Sequence, residues 1–273
     1  MGRRVDLIGL PTDVHSSFMR GPAKAPPLIR EALFSPHGNS ASERGLELGV
    51  DIKLNDCGDL LLREAPEDDA AIREAIAASL AAGAVPIALG GDHAVTFPVL
   101  QAIEARHGPV DILHFDAHPD LYDELDGDRR SHASPFARIM ETGLASHLTQ
   151  VGIRTLNAHQ REQAARFGVT QVQMRDVPMW RPRFENGLYI SIDMDGFDPA
   201  YAPGVSHHEP GGLSPRYVID LLLSLDVVLL GADVVEFNPD RDINGVTAVL
   251  AAKLVKELAA LAIKALKKKE TII

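Results

Sequence analysis

Short apolar or β-branched runs alternate with longer stretches in which apolar residues recur every three or four positions. The alternation persists from end to end and predicts strands joined by helices. Eight runs read as strands: VDLIGL at 5–10, VDIKLND at 50–56, VPIALG at 85–90, VDILHF at 110–115, LTQVGI at 148–153, VTQVQM at 169–174, LYISID at 188–193 and LLGADVVEF at 229–237. Several are apolar throughout, as strands covered on both faces are. Helices are predicted over APPLIREALF (25–34), DDAAIREAIAASLAAG (68–83), TFPVLQAIEARHG (96–108), AHQREQAARFG (158–168), SPRYVIDLLLSL (214–225) and from about Thr247 into KALKKK. Acids open the second of these and Gly83 closes it; lysines end the last, where cations suit the helix dipole, and read as a solvated end. The pattern is that of an α/β chain: a mainly parallel sheet with helices on both faces.

No repeat, low-complexity linker or shift of composition divides the chain, so one domain over 1–273 is expected. With 273 residues and 45% hydrophobic content, the chain can bury a sizeable core. Its formal net charge of −11 is the wrong sign for tracking nucleic acid or an anionic membrane, and favours approach of a cationic ligand. The opening MGRRVDLIGLP lacks the apolar stretch of a signal peptide, and no run is long enough to span a bilayer. A single cysteine, Cys57, excludes an internal disulfide. These features predict a cytoplasmic protein in which Cys57 is an ordinary buried thiol.

Chemistry collects where strands end. In parallel sheets ligands bind beyond the carboxyl ends of the strands. VPIALG leads into Asp92 and His93; VDILHF into Asp116, His118 and Asp120; LYISI into Asp193, Asp195 and Asp198. The two-residue spacing of Asp116, His118 and Asp120, and of Asp193 and Asp195, puts each set on one side of an extended backbone. If these ends are adjacent, like charges crowd together and need a cation. Four carboxylates and the imidazoles of His93 and His118 neutralise two divalent ions, and with no thiolate present the mixture suits manganese, with iron, cobalt, nickel or zinc as alternatives. Two such ions about 3.5–4 Å apart can activate a water towards an electrophilic carbon or phosphorus. Three neighbours have plainer readings: Asp198 as a turn residue before Pro199, Asp92 as a support for His93, and His114 as a satisfied core histidine.

GGDH at 90–93, DAHPD at 116–120 and SIDMDGFDPAYAPG at 191–204 together resemble the ureohydrolases, the family of arginases, agmatinases and related guanidino hydrolases. The likeness runs from GLPTDVHSSFMRGPAKAPP to GADVVEFNPDRD; SHASPFARIM, VGIR and GVSHHEPGGLS are most similar to plant-type arginases and their bacterial relatives. The resemblance implies a three-layer α/β/α fold with an eight-stranded sheet, a homo-oligomer (trimer or hexamer), and two Mn(II) ions per subunit. One ion is implied on His93, Asp116, Asp120 and Asp193, the other on Asp116, His118, Asp193 and Asp195. It further implies that Glu236 binds the guanidinium and that His132, in RRSHASPF, shuttles a proton to the departing amine.

The guanidino substrate's tail is read by loops. LYDELDGDRRS at 121–131 is shorter than the corresponding animal-arginase loop, so Arg129 or Arg130 is a candidate for an α-carboxylate, Asn157 for the α-amino end, and His207 for the entrance. Arginine or a close derivative such as Nω-hydroxy-arginine is the expected substrate, giving ornithine with urea or hydroxyurea. Agmatine is the nearest alternative. A single-metal deacetylase-like hydrolase and a non-catalytic metal-binding protein are the alternatives of other classes.

Overall fold

The computed structural model describes residues 4–270, with side chains described through residue 264. The apolar runs form β1 (Val5–Leu10), β2 (Leu54–Asp59), β3 (Val85–Gly90), β4 (Val110–Phe115), β5 (Ala145–Ile153), β6 (Thr170–Gln173), β7 (Leu188–Asp193) and β8 (Leu229–Val235). They make one eight-stranded sheet in the order β2-β1-β3-β8-β7-β4-β5-β6, and every pair is parallel. Each of β1, β3, β4, β7 and β8 is buried along its whole length, which is why these segments show no polar alternation.

Helices cover both faces. On one side lie α1 (Ala25–Leu33), α6 (Pro215–Ser224) and α7 (Val246–Glu270), whose Ile29, Leu222 and Leu258 share a core with Leu7, Ile87 and Ile190. On the other lie α2 (Asp68–Ala81), α3 (Thr96–His107), α4 (Pro135–Glu141) and α5 (Ala158–Phe167), whose Ile76, Ile103, Phe136 and Ala164 pack with Ile8, Ile112 and Tyr189. The architecture is three-layered, α/β/α. Local signals set the helix ends: Ser214 accepts from the Tyr217 N–H ahead of Pro215, Asn157 accepts from the Gln160 N–H, and Gly168 closes α5 in the left-handed region at φ 65°. The lysines at 267–269 lie outside the residues whose side chains are described.

Several elements differ from expectation for local reasons. The strand expected at 50–56 begins only at Leu54, because a turn at 47–52 takes its first residues: the Ile52 N–H donates to the Glu47 carbonyl and Gly49 adopts φ 80°. As the outermost strand, β2 is largely exposed, and so is Cys57, contrary to the buried thiol expected. Helix α4 gave too short an apolar pattern to be foreseen; Pro135 opens it directly after Ser134.

The order of the sheet explains where the site forms. The sheet grows outwards from β1 to β2 on one side and from β4 through β5 to β6 on the other, with a gap between β3 and β4. Later segments, β7 and β8, fill the gap. The carboxyl ends of β3, β8, β7 and β4 therefore stand side by side at a topological switch point, the position at which such sheets bind ligands.

Candidate active site

Those four strand ends carry His93, Glu236, Asp193 and Asp116. The structure brings the six metal-ligand candidates together in two overlapping groups. In the first, His93, Asp116, Asp120 and Asp193 each offer an atom within 4.8 Å of the others, and all four are buried. The His93 Nδ1 lies 2.9 Å from Asp120 Oδ2, 3.1 Å from Asp193 Oδ2 and 3.4 Å from Asp116 Oδ2. In the second, Asp116 meets His118 and Asp195: the His118 Nδ1 is 3.4 Å from Asp116 Oδ1 and 3.2 Å from Asp195 Oδ2. Asp116 belongs to both groups. Asp193, whose Oδ1 accepts the Asp195 N–H at 2.7 Å, falls in the first only, whereas the resemblance implied it in both.

The backbone achieves this convergence differently from the extended alternation expected. Strand β4 ends at Phe115, and the next residues bend: Asp116 Oδ1 accepts the His118 N–H at 2.6 Å, and Asp120 takes φ 51°. Asp193 caps a single 3₁₀ turn over Met194–Gly196. Gly196 is required there, since a Cβ would stand 2.9 Å from the Asp116 nitrogen. At the end of β8 the backbone enters the left-handed region at Glu236, φ 62°, whose N–H donates to the Gly91 carbonyl at 2.9 Å. The strand expected to run to Phe237 stops there, and the strained turn sits at a site residue.

Buried partners fix the imidazoles of His93 and His114. Ser191 donates to Asp233 Oδ1 at 2.6 Å, so its Oγ accepts from His93 Nε2 at 2.9 Å; the Nε2–H tautomer leaves Nδ1 with a lone pair aimed at the carboxylates. Asp233, fully buried, also accepts from Thr96 Oγ1 and Tyr189 OH, each at 2.7 Å. His114, as expected, is a satisfied core residue: Gln150 donates to its Nδ1 at 3.1 Å and its Nε2 donates to Asp116 Oδ2 at 2.7 Å. Asp198 is the turn residue expected, accepting from the N–H groups of Ala200, Gly211 and Gly212. Asp92 does not support the His93 ring; its carboxylate accepts from the N–H groups of His15 and Ala94, tying down the loop after β1. Asp233 and Ser191 were missed in the sequence. Their signal was a carboxylate inside the apolar run LLGADVV, a position where a buried acid needs a dedicated purpose.

Electrostatics test whether this donor set suits a metal. Burial, reinforced by Asp195 and Asp116, drives the Asp193 carboxyl well above its ordinary range, and burial beside Asp116 also raises Asp195. The His93 Nδ1 has no hydrogen-bond partner although fully buried. Crowded acids around an unpartnered imidazole nitrogen, with the opposite ring nitrogen anchored, fit divalent cations and nothing apolar.

Glu236 and His132 form a second, connected unit. Glu236 Oε1 accepts from the His93 N–H and from His132 Nδ1, both at 2.8 Å. Burial raises the Glu236 carboxyl, but His132 and the His93 N–H outweigh it and hold the group below its usual range. Burial likewise pulls His132 down, whereas Glu236, Asp92 and Asp120 push it up to about 9.

A pocket of about 280 Å³ opens above these groups, lined by His118, Asp120, His132, Asp193, Asp195 and Glu236 at its base and by Ser17, Tyr122, Thr155, Asn157 and His207 towards its mouth. Asn157 donates to the Tyr122 hydroxyl at 2.5 Å, and the His207 ring packs against Phe18, His118 and His132. Arg130 is a correction. Its guanidinium pairs with Asp69 at 2.8 Å, packs over Phe97 and lines a separate cavity, so it is not among the pocket's lining residues. The acid at the start of α2 draws it away. Arg129 is similarly engaged by Asp123 and Glu141. Among the described residues lining the pocket, none is Lys or Arg.

Parallel strand ends that line the base of a pocket with acids and imidazoles, at the middle sheet of a three-layer α/β/α fold, are the arrangement of a metal-dependent hydrolase. Comparison with known proteins agrees: residues 3–260 match the arginase family, and the chain belongs to that family. It is 51% identical over 272 residues to arginase 1, mitochondrial, of Arabidopsis thaliana, covering 93% of this chain and 80% of the relative. Among solved structures, the arginase from Medicago truncatula superposes with a TM-score of 0.91 at 44% identity, covering 96% of this chain and 88% of that one. The proclavaminate amidino hydrolase from Streptomyces clavuligerus superposes with a TM-score of 0.88 at 29% identity, covering 97% and 93%.

Proposed function

We propose that this protein hydrolyses the guanidino group of L-arginine to L-ornithine and urea, as a single catalytic domain charged with two Mn(II) ions. The observation that carries the reading is the placement of Glu236 beside both carboxylate–imidazole groups at the base of one pocket. His93, Asp116, Asp120 and Asp193 would hold one ion, and Asp116, His118 and Asp195 the other. Divalent ions there supply Lewis acidity and bring the pKa of a water towards neutrality.

The chain's own groups do the rest. Glu236, kept ionised by His132, is the acceptor for a guanidinium and orients its planar carbon over the acidic cluster. His132 holds a proton on Nδ1 towards Glu236, and its Nε2 faces Ser17, a pocket residue, so it can deliver a proton to the amine that departs when the C–N bond breaks. Tyr122, Thr155 and Asn157 are neutral hydrogen-bonding groups suited to a zwitterionic tail, and His207 closes the side of the pocket. The lack of Lys or Arg in that lining gives agmatine, whose tail has no carboxylate, a specific claim as the second reading.

The single cysteine supports a cytoplasmic setting, and exposed Leu28 on α1, Phe34 directly after it, and Val246 and Val249 on α7 support assembly into a homo-oligomer, for which the family resemblance implies three or six chains. No described helix is long and apolar enough to cross a membrane. A product screen of the manganese-loaded protein tests the function. Urea and ornithine from arginine are expected; putrescine from agmatine selects the second reading, hydroxyurea from Nω-hydroxy-arginine the derivative, and no product from any guanidino compound refutes hydrolysis.

A further inference from the structure

Ser17 lies far from the metal-ligand candidates in sequence, on the loop that follows β1, yet its Oγ sits 2.8 Å from His132 Nε2 and it lines the pocket. The loop is held in place from several sides. Asp92 accepts the His15 N–H, the His132 N–H donates to the His15 carbonyl, and Ser206 and Asn238 both donate to the Met19 carbonyl. Asp13 receives the N–H groups of Gly21 and Ala23 at the loop's far end. Ser17 is thus presented to His132 by a fixed backbone.

The geometry assigns Ser17 as the proton relay between His132 and the pocket. This inference rests on the arginine-hydrolase reading above. Because Glu236 is an ionised acceptor, His132 Nδ1 must be an N–H, and only Nε2 can gain or lose a proton. A hydroxyl can accept from Nε2–H and donate its own O–H through the same oxygen, and Ser17 Oγ is the group placed against Nε2. In the transfer, the Nε2–H proton passes to Ser17 Oγ as the Ser17 hydroxyl proton passes to the leaving amine. The C–N bond breaks with its electron pair on nitrogen, and Ser17 ends as it began, a neutral hydroxyl beside a neutral His132. Glu236, Asp92 and Asp120 are the charges that face His132 during this step, with the His207 ring alongside.

The test compares wild type, Ser17→Ala and Ser17→Thr, each manganese-loaded and checked for equal metal content. Expected for Ser17→Ala is a fall in kcat of about 10-fold with KM within about 2-fold, as for loss of part of a general-acid pathway. Ser17→Thr restores the rate. The dependence of kcat on deuterium fraction is curved in wild type, reporting two protons in flight, and becomes linear in Ser17→Ala. Ser17→Ala with wild-type kcat and the same curved dependence overturns the relay, as does a Thr variant no faster than Ala. A wild type without turnover counts instead against the hydrolase reading itself.

Discussion

At the scale of single residues, the tasks of His93 and His132 are set by what each ring's two nitrogens touch. His93 offers Nδ1 because the Ser191–Asp233 chain holds Nε2. Asp233→Ala removes that anchor without touching a proposed ligand; manganese affinity is expected to fall about 10- to 100-fold, read by titration of the metal-free protein. Asp116→Ala, by contrast, removes the one carboxylate common to both groups, and should abolish metal binding and turnover together. His132 makes a different prediction. Its pKa is raised to about 9, so the stability that its positive charge contributes beside Glu236 is fully present below the ordinary histidine value of 6.5 and is lost as pH climbs through about 9, when Nε2 gives up its proton. Activity should decline above that pH, and His132→Asn should keep its metal, lose about 100-fold in rate and show no such alkaline limb. The stability difference between wild type and His132→Asn should be largest near pH 6 and shrink above pH 9. The identities of the clustered acids and histidines were legible in the sequence because turn chemistry gives no reason for their repeated spacing after three separate strands. Ser17, Ser191 and Asp233 were not, since hydroxyls and a lone strand acid acquire meaning only from partners distant along the chain.

The elements were foreseen largely where burial dictates them. Fully buried strands such as β3 and β7 leave continuous apolar runs, and helices with caps at both ends announce their limits. Edge strand β2 was displaced because its neighbour is water on one side and a local turn took its first residues, while the seven residues of α4 are too few to display a period. The period-two reading of DAHPD named the right side chains on the wrong backbone: a bend at Asp116 and the left-handed Asp120 bring them together, and neither is encoded by hydrophobic pattern. Asn157 shows how one residue can serve an element and a site. As the cap of α5 it accepts the Gln160 N–H, and its amide meets Tyr122 at the pocket. Asn157→Ala should lose about 1 kcal/mol of stability as well as substrate affinity; Asn157→Ser should keep the cap and raise only KM. Thermal denaturation and steady-state kinetics on the pair separate the two duties, and equal KM values for both variants and wild type would exclude Asn157 from tail recognition.

For the whole molecule, sheet order is the decisive fact. The ends of β3, β8, β7 and β4 meet only because β7 and β8, late in the chain, insert between strands that the chain formed earlier. Sequence supplied the strands and their ligand-bearing motifs, and the family resemblance supplied a fold, but adjacency is a property of the folded sheet, and so is the diversion of Arg130 towards Asp69. Assembly is tested by light scattering, where a mass of three or six chains is expected and a monomer at micromolar concentration would refute it. The most direct measurement of the account is elemental analysis of the dialysed, manganese-loaded protein alongside Asp116→Ala. Two manganese ions per wild-type chain, with none retained by the variant, is the predicted result; one ion per wild-type chain, or equal content in both proteins, would contradict the two-ion cage on which the proposed hydrolysis depends.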